Sequence, residues 1–333
     1  MDTERLGLDA IERLAFDALT SAGAAEAQAR PLAAATAETE AIGVASHGLA
    51  YVPIYCEHLR CGKVDGRAVP EVSRPKLGVV RVDARNGFAH AAIEAGLAPL
   101  VEAARAQGVA ALAIHESYNC GALRVHTLRL ARAGLLALGF TNAPASIAAA
   151  GGTAPVLGTN PFSVAAPDGI GGAAVLIDQS ASVIAKSEIM ARARAGEPIP
   201  EGWALDAEGA PTTDPEAALK GSMAPAGGRK GVGVALTTEL FAAAAAGALL
   251  GIEASPFSGT AGGPPRTGQF FLAVEPDATS GGAFAERLAA LLPAIRASGE
   301  ARVPGDGARA ARETAERDGV DVAKATLARI AAI

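Results

Sequence analysis

The segment AIGVASHGLAYVPIYCEHLRCGKV, residues 41–64, decides how the rest of the chain is interpreted. At its centre Ser46, His47 and Gly48 stand where a helical hydrophobic pattern breaks, in a chain with only five histidines. A histidine between a hydroxyl-bearing residue and a glycine is open to a ligand, and an imidazole with a pKa of about 6.5 exchanges protons near neutral pH. The competing interpretation is a helix-end histidine that bonds a backbone carbonyl. The other segments of the chain must decide between the two.

The composition argues against nucleic-acid and membrane partners. With 333 residues the chain can bury a substantial core, and we expect it to divide into two or three lobes. A net charge of −6 and an aromatic content of 4% disfavour binding to nucleic acids or to acidic membrane surfaces. No basic start followed by an apolar segment indicates a secretory signal, and the longest apolar stretch, residues 240–252, is too short to span a bilayer. We therefore expect a cytoplasmic protein.

The three cysteines, Cys56, Cys61 and Cys120, give neither a disulfide framework nor a zinc-binding pattern. Their number is odd, and no two of them form a C-x-x-C pair. We expect reduced, non-catalytic thiols and no metal site.

The central part of the chain alternates between strand-like and helix-like patterns, which predicts an α/β (α+β) core. The flanking parts are helical: helices are predicted from residue 8 to the glycine at 23, over 24–41 and 53–61, and from residue 284 onward. We expect an N-terminal helical domain (1–70) carrying Ser-His-Gly, an α/β core (71–283) and a C-terminal helical segment (284–333) that packs with the N-terminal domain. Strands are predicted at 77–84, 109–116, 135–142, 162–167, 174–180 and 269–276, and central helices at 90–107, 122–133, 184–195 and 238–250.

The usual nucleotide-binding motifs are missing. A G-x-G-x-x-G turn would have to follow a strand and open a helix, but GIGGAA (169–174) precedes a predicted strand. GGRKGVG (227–233) resembles a Walker motif only superficially, since the spacing G-x-x-x-x-G-K-[ST] is absent. A nucleotide site in this chain would therefore be of a different type.

Seven segments, in their order along the chain, resemble the malate/L-lactate dehydrogenase family of the non-Rossmann type. This family includes ureidoglycolate, sulfolactate and diketogulonate oxidoreductases and reductases of cyclic imino acids. The resemblance runs from about residue 6 to about residue 325, and it implies a mixed-sheet cofactor-binding core, a helical domain formed by both termini, NAD or NADP as hydride carrier, and a homodimer with sites near the subunit interface. The segments are GVASHGLAYVPIYCEHLRCGKV (43–64), SYNCGAL (117–123), FTNAPASIAAAGGTAPVLGTNP (140–161), IDQSASVIAKSE (177–188), IPEGWALDAEGAPTTDPEAAL (199–219), GGRKGVGVAL (227–236) and RVPGDG (302–307).

The resemblance implies that His47 is the catalytic acid–base residue. Its imidazole would donate a proton when hydride reaches a carbonyl or imine carbon. Ser46 would orient the ring or the substrate, and Gly48 would leave room for either. Asn119 departs from the family, which commonly has a histidine there. Because an amide exchanges no proton near pH 7, Asn119 would only position the substrate or cap the following helix.

The substrate side departs from the family a second time at Tyr51, where an arginine often grips a substrate carboxylate. Arg124, His126 or Arg266 would have to supply the missing cation, and the sequence does not choose among them. Arg266 lies in a glycine- and proline-rich loop, residues 258–269, which is either an active-site flap or an irregular surface connection.

The cofactor side matches the family more closely. A carboxylate or hydroxyl at a strand end can bind ribose or carboxamide groups, and an ammonium group suits a pyrophosphate. Taken singly, each of these residues also has an ordinary structural interpretation. The residues that the resemblance places at the cofactor are Asn142, Asp178, Gln179, Ser180, Lys230, Gly305 and Asp306.

The first functional hypothesis is an NAD(P)-dependent oxidoreductase that transfers hydride to or from C2 of a small 2-oxo or 2-hydroxy carboxylic acid of the malate, lactate or sulfolactate type. The alternative within enzymes is a reductase of a cyclic imine such as Δ1-pyrroline- or Δ1-piperideine-2-carboxylate, which Asn119 favours because an imine nitrogen can arrive already protonated. A third hypothesis is a catalytically silent relative that binds the cofactor without turnover.

Overall fold

The structure, a computed structural model, describes residues 2–333. Its strands and helices occur in the order expected for a chain with a central α/β core and helical ends. The strands are β1 (Thr3–Leu6), β2 (Glu71–Lys76), β3 (Val79–Asp83), β4 (Val109–Ser117), β5 (Leu136–Thr141), β6 (Ile147–Ala148), β7 (Pro155–Leu157), β8 (Phe162–Pro167), β9 (Ala173–Gln179), β10 (Ala204–Leu205), β11 (Pro211–Thr212), β12 (Ser222–Met223), β13 (Thr267–Val274) and β14 (Val320–Ala323). The helices are α1 (Leu8–Ser21), α2 (Glu26–Ala41), α3 (Val52–Arg60), α4 (Ala89–Gln107), α5 (Leu123–Arg132), α6 (Lys186–Ala195), α7 (Pro215–Lys220), α8 (Arg229–Glu239), α9 (Pro276–Ser280), α10 (Phe284–Ala297), α11 (Asp306–Asp318) and α12 (Lys324–Ala331).

The centre of the molecule is a mixed seven-stranded sheet with the strand order β2-β3-β4-β13-β5-β8-β9. Only β3 and β4 run parallel; the other neighbours are antiparallel. Phe271 on β13 joins the core formed with α4 and α5. The next residue back, Phe270, contacts Phe241 of the π-helical turn Leu240–Ala245. Because neighbouring strand residues point to opposite faces, this turn covers the other face of the sheet.

The two ends of the chain pack together. The strands β1 and β14 pair antiparallel over four residues. Leu19 and Leu32 of the N-terminal helices share one buried cluster with Val322 and Ile330 near the C-terminus. A smaller five-stranded sheet, β11-β10-β12-β6-β7, has its own core. The division into segments 1–70, 71–283 and 284–333 stays a prediction.

The predicted elements correspond closely to the observed ones. The six predicted strands are β3, β4, β5, β8, β9 and β13, and three predicted central helices are α4, α5 and α6. The helix predicted over 238–250 is wrong in its bounds, because the glycine-rich stretch 227–233 opens α8 with Gly228 as N-cap. The exposed edge strand β2 was missed because all six of its residues face solvent and show no hydrophobic alternation. Within residues 2–333 no helix is both long and apolar enough to cross a membrane.

Candidate active site

His47 lies in the first of two consecutive 3-10 turns that follow α2, at residues 45–47 and 49–51. The Ser46 Oγ lies 3.0 Å from His47 Nδ1, so the hydroxyl engages this ring nitrogen. The Nε2 atom has no hydrogen-bond partner within residues 2–333 and is free for a ligand. Burial lowers the pKa of His47 below its ordinary value, although the charge of Asp178 acts in the opposite direction. The imidazole is therefore mainly neutral at pH 7.

Gly48 separates the two turns and lies against the side chain of Glu40. A Cβ atom at position 48 would lie 2.2 Å from Glu40 Oε1. The same oxygen accepts a hydrogen bond from the Leu49 backbone N–H at 2.7 Å. The expectation that Gly48 leaves room for the imidazole or the substrate is wrong, because the Glu40 carboxylate fills that space. Glu40 was not among the predicted site residues. The sequence signal that could have found it is a carboxylate on the buried face of α2, where a charge needs a partner.

Tyr51 connects His47 to Asn119. The His47 and Tyr51 rings are parallel to within 2°, with centroids 6.2 Å apart. Asn119 Nδ2 donates to Tyr51 Oη at 3.4 Å, while its Oδ1 accepts from the Gly121 N–H at 2.6 Å. Burial raises the pKa of Tyr51 to about 12, so its hydroxyl stays protonated. The structure thus places three predicted site residues together, and neither Tyr51 nor Asn119 exchanges a proton near neutral pH.

Arg124 and Asp178 form a charged pair near His47. Arg124, at the start of α5, donates from Nε to Asp178 Oδ2 at 3.0 Å. Burial raises the pKa of the Asp178 carboxyl, while the charges of Arg124 and His47 lower it. In turn the Asp178 charge raises the pKa of His47 and the Arg124 charge lowers it. These mutual effects define a cluster of His47, Tyr51, Asn119, Arg124 and Asp178, which we call the His47 cluster.

The two other candidate cations do not join the His47 cluster. Arg266 donates from Nη2 to Glu116 Oε1 at 2.7 Å, so this carboxylate holds its guanidinium. His126 is buried with its Nε2 2.8 Å from the Cys120 carbonyl oxygen. Burial lowers the pKa of His126 to about 4, so it carries no charge at neutral pH. Of the three candidates, Arg124 is the one that the structure brings to His47.

The glycine- and proline-rich loop before β13 is anchored on the region around α3. His58 Nε2 lies 3.0 Å from the Gly259 carbonyl oxygen, and Lys63 Nζ donates to the Pro256 carbonyl oxygen at 2.6 Å. Phe257 packs against Tyr118, the residue that precedes Asn119 in the chain. The base of the loop is thus fixed beside the His47 cluster, and its role as an active-site flap stays a prediction.

The predicted cofactor segments meet along β9 and its C-terminal end. The Leu176 N–H donates to the Pro304 carbonyl oxygen at 2.8 Å, and the Ala226 N–H, just before α8, donates to the Ala181 carbonyl oxygen at 2.8 Å. Gly305 has a φ of +105°, and a Cβ there would lie 2.9 Å from Leu176 N. Only glycine permits this approach of the two backbones.

The predicted cofactor residues differ in whether their polar side-chain atoms are free to bind a ligand. Gln179 and Lys230 are exposed, and Lys230 is the second residue of α8. Ser180 is also exposed, but its Oγ donates to the Thr159 carbonyl oxygen at 3.1 Å and lies 2.8 Å from Ser182 Oγ. By contrast, the Asp306 carboxylate pairs with Arg296 at 3.0 Å. Asn142, another predicted contact, is also occupied inside the protein.

Asn142 is almost completely buried, with 1% of its surface exposed. Its Nδ2 donates to the Leu249 carbonyl oxygen at 2.9 Å, and its Oδ1 accepts from the Gly268 N–H at 2.8 Å. These bonds link the end of β5 to the start of β13. Both the nitrogen and the oxygen of the Asn142 amide are therefore hydrogen-bonded within the protein.

Two residues that sequence analysis missed, Tyr55 and His90, lie behind the loop of Asn119 and Gly121. A Cβ at Gly121 would lie 3.2 Å from His90 Nε2 and 3.6 Å from Tyr55 Oη. A signal for Tyr55 existed, since residues 47, 51 and 55 follow the four-residue spacing of one helical face. No comparable signal marks His90.

The cysteines are free thiols, and the described residues include other potential metal ligands. Cys56, Cys61 and Cys120 are free thiols, and burial raises the pKa of Cys120 to about 12. Within residues 2–333 no three histidine, cysteine, aspartate or glutamate side chains stand close enough to hold a metal ion.

Comparisons with known proteins agree with this architecture. The family described as malate/L-lactate dehydrogenase matches residues 6–331. A (2R)-3-sulfolactate dehydrogenase (NADP(+)) of Chromohalobacter salexigens is 42% identical over 309 residues, 92% of this chain and 91% of that protein. A Δ1-pyrroline-2-carboxylate reductase of Ancylobacter novellus is 38% identical over 332 residues, 99% of this chain and 97% of that protein. The crystal structure of Δ1-piperideine-2-carboxylate reductase from Pseudomonas syringae pv. tomato superposes with a TM-score of 0.92 at 34% identity, covering 98% of this chain and 99% of that one.

These matches confirm the predicted family, its mixed α/β fold, and a dehydrogenase or reductase that uses NAD or NADP. The family match runs from residue 6 to residue 331 and so includes the helices at both ends of the chain. The chain belongs to the malate/L-lactate dehydrogenase family.

Proposed function

We propose that this enzyme reduces a cyclic imine carboxylate of the Δ1-pyrroline-2-carboxylate or Δ1-piperideine-2-carboxylate type. One observation carries the proposal: among His47, Tyr51 and Asn119 no group readily gives up a proton at neutral pH. The lowered pKa of His47 keeps its ring neutral, Tyr51 has a pKa of about 12, and Asn119 has no exchangeable proton in this range. An imine nitrogen brings its own proton, whereas a carbonyl oxygen needs one from the enzyme.

The charges of the His47 cluster suit such a substrate. A protonated imine carboxylate carries one positive and one negative charge, and Arg124 with Asp178 offers the complementary pair. Arg124 would bind the carboxylate, and Asp178 would face the iminium group. The neutral Nε2 of His47 would accept a hydrogen bond from the iminium N–H, which stabilises the cation that hydride attacks.

The residues along β9 fit a nicotinamide dinucleotide. The N-terminus of α8 has no side-chain cap and stands next to the exposed ammonium of Lys230, a combination that suits a pyrophosphate. Gln179 offers an exposed amide group, and the Gly305 backbone lies against the same strand. The Ser180 hydroxyl would have to exchange its bond to the Thr159 carbonyl oxygen for one to the cofactor.

When bound in reduced form, the nicotinamide supplies the hydride. The hydride forms the new C–H bond at C2, the C=N π pair becomes the nitrogen lone pair, and the nitrogen keeps its proton. The side chains then have only to hold the carboxylate and stabilise the iminium charge.

The second candidate function is the reduction of a 2-oxo acid, as in the relative that is a sulfolactate dehydrogenase. The observation in its favour is Asp178, whose charge raises the pKa of His47 against the effect of burial. A substrate that adds negative charge beside the ring would raise the pKa further and let His47 act as the proton donor.

Initial rates with NADH and NADPH separate these candidates. We expect the highest kcat/KM with Δ1-pyrroline- or Δ1-piperideine-2-carboxylate and lower values with pyruvate, oxaloacetate and sulfopyruvate. In His47→Ala, 2-oxo acid turnover should fall by about 10²-fold or more, the scale of general acid catalysis, with cofactor affinity unchanged. A clear preference for a 2-oxo acid would overturn the imine proposal, and no turnover with any substrate would favour the silent relative.

We further propose a homodimer in the cytoplasm. Val69 and Leu77, on either side of edge strand β2, expose 74% and 80% of their surface, an arrangement that a second subunit would cover. The three unpaired cysteines suit a reducing compartment. Sedimentation equilibrium tests the dimer, and a monomer at micromolar concentration would contradict it.

A further inference from the structure

Glu40 is a buried carboxylate that no cation within residues 2–333 neutralises. It lies one residue before the end of α2 and is 7% exposed. Within residues 2–333 its side chain makes a single hydrogen bond, from the Leu49 backbone N–H, and no ion pair. Burial accordingly raises its pKa. Because a buried carboxylate without a cation costs folding free energy, its position calls for a functional explanation.

The carboxylate occupies the junction between the two 3-10 turns. Glu40 Oε1 is 2.7 Å from Leu49 N, and the Glu40 Cδ and Cγ atoms would lie 2.5 Å and 2.8 Å from a Cβ at Gly48. The turn before the junction carries His47, and the turn after it carries Tyr51. The side chain therefore lies between the two turns, and its one hydrogen bond goes to the backbone and not to either ring.

Backbone bonds alone fix each turn internally but not their junction. The His47 N–H donates to the Val44 carbonyl oxygen at 3.0 Å within the first turn, and the Tyr51 N–H donates to the Gly48 carbonyl oxygen at 3.0 Å within the second. The Leu49 N–H, which starts the second turn, has the Glu40 carboxylate as its acceptor instead. Without that acceptor the Leu49 N–H would lose its hydrogen bond, and the packing of the buried Leu49 side chain would remain to hold the junction.

We propose that Glu40 is a positioning residue, which holds His47 and Tyr51 in their parallel arrangement by closing this junction. The inference rests on the proposed function, in which both residues face the substrate. Glu40 acts through the Leu49 backbone and the space beside Gly48, and it takes no part in proton transfer.

The test compares Glu40→Ala with Glu40→Gln. Glutamine keeps an oxygen that can accept from the Leu49 N–H, whereas alanine removes it. With the preferred substrate, kcat in Glu40→Ala should fall about 10- to 100-fold, the scale expected when a reacting group is displaced by about 1 Å, while cofactor affinity stays unchanged. Glu40→Gln should recover most of the loss. Equal loss of kcat in both variants, or no loss in either, would overturn the proposal.

Glu38→Ala provides the matched control on the same helix. Glu38 pairs with Arg132 of α5 at 2.8 Å and with Arg312 of α11, and its side chain bonds no residue of the two turns. Its removal should lower thermal stability and leave kcat unchanged. If Glu38→Ala and Glu40→Ala lower kcat alike, the effect reflects a general loosening of α2 and the positioning role is rejected.

A double-mutant cycle with Gly48→Ala tests the contact itself. The new methyl group meets only Glu40 atoms among its three nearest neighbours, so it should lower kcat in the parent and add little loss in a Glu40→Ala background. Additive losses would overturn the proposed contact.

A readout without substrate separates this proposal from the proposed function. Hydrogen exchange at the Leu49 amide should accelerate in Glu40→Ala and stay slow in Glu40→Gln, and the His47 ring resonances should shift only in Glu40→Ala. If the parent reduces none of the tested substrates, the proposed function fails while these spectra still decide the positioning role. Unchanged exchange and unchanged resonances in Glu40→Ala would refute it.

Discussion

Arg124 and Asp178 bond through one oxygen of the carboxylate. Asp178 Oδ2 lies 3.0 Å from Arg124 Nε and 3.3 Å from Arg124 N, while Oδ1 and the two Nη atoms have no hydrogen-bond partner within residues 2–333. The side chains are 26% and 14% exposed, so water screens their charges less than on an open surface. The pair is therefore formed and still offers both a cation and an anion to a substrate.

The first prediction is that Arg124, and not Arg266, binds the substrate carboxylate. Arg124→Ala should raise KM about 10- to 100-fold, since a hydrogen bond to a charged group contributes about 1.5–3 kcal/mol. Arg266→Ala is the matched control, because that guanidinium pairs with Glu116 outside the His47 cluster. Steady-state kinetics on both variants checks the assignment, which a larger KM effect at Arg266 would reverse.

Arg124→Ala also leaves Asp178 without its cation. The Asp178 carboxyl, whose pKa burial already raises, should then protonate more readily. The double variant Arg124→Ala/Asp178→Asn removes this side effect. If KM returns to the parent value in the double variant, Arg124 serves Asp178 and does not hold the carboxylate.

The second prediction concerns pH. Burial lowers the pKa of His47 below 6.5, so the ring is neutral above that pKa and charged below it. Imine reduction needs the neutral ring as a hydrogen-bond acceptor, so kcat/KM should fall as pH decreases through the His47 pKa. Reduction of a 2-oxo acid needs the charged ring, so its kcat/KM should fall as pH increases through the same value.

The pH profile of kcat/KM, measured with one substrate of each class, checks whether the imine and the 2-oxo acid lose activity in opposite pH directions. His47→Asn is the control, because its amide does not titrate and the acidic limb seen with the imine should vanish. Profiles that fall in the same direction for both substrates would contradict the assignment of His47 as the titrating group.

The sequence predicted the sheet strands better than the details of the site. Strands such as β4 and β13 are buried and bounded by clear turns, so their patterns are strong. The motifs also named His47, Tyr51 and Asn119, which the structure places together. These side chains come from segments about 70 residues apart in the chain, as the bond between Asn119 and Tyr51 shows. Local patterns carry no information on such contacts.

Gly48 and Asn142 show what the motifs could not reveal. Gly48 was explained by space for the substrate, whereas the structure fills that space with Glu40, seven residues before His47 on a buried helix face. For Asn142 the motif predicts a cofactor contact, which stays a prediction, but motif position does not reveal that Leu249 and Gly268 hydrogen-bond its amide. In both cases the deciding neighbour lies outside the motif.

The third prediction is that Lys230 binds the cofactor. Lys230→Ala should raise the dissociation constant of NADPH or NADH about 10- to 100-fold, because one charged hydrogen bond contributes about 1.5–3 kcal/mol. Lys220→Ala, at the exposed C-terminal end of α7, is the matched control for loss of a surface charge. Fluorescence titration of the bound nicotinamide measures both constants, and equal affinities in the two variants would remove Lys230 from the site.

The fourth prediction is that Asn119 and Tyr51 set which substrate is accepted. Asn119 donates to the Tyr51 hydroxyl, and both side chains are partly buried beside His47. Asn119→His should be tolerated and should shift preference toward 2-oxo acids, because an added acid helps a weakly basic carbonyl more than a protonated imine. Tyr51→Arg should tighten binding of small dicarboxylates by adding a bidentate donor.

The measurement is the ratio of kcat/KM for imine and 2-oxo acid in each variant, with thermal unfolding as the check on folding. Asn119→Asp is the informative control for the first position, because it keeps the size of the side chain but adds negative charge that repels the substrate carboxylate. Its KM should rise for both substrate classes without a change in their ratio. Unaltered ratios in Asn119→His and Tyr51→Arg, in folded protein, would place both residues outside the substrate pocket. The preference for an imine would then rest on the lowered pKa of His47 alone. The pH profiles of kcat/KM for the two substrate classes would then decide between imine and 2-oxo acid.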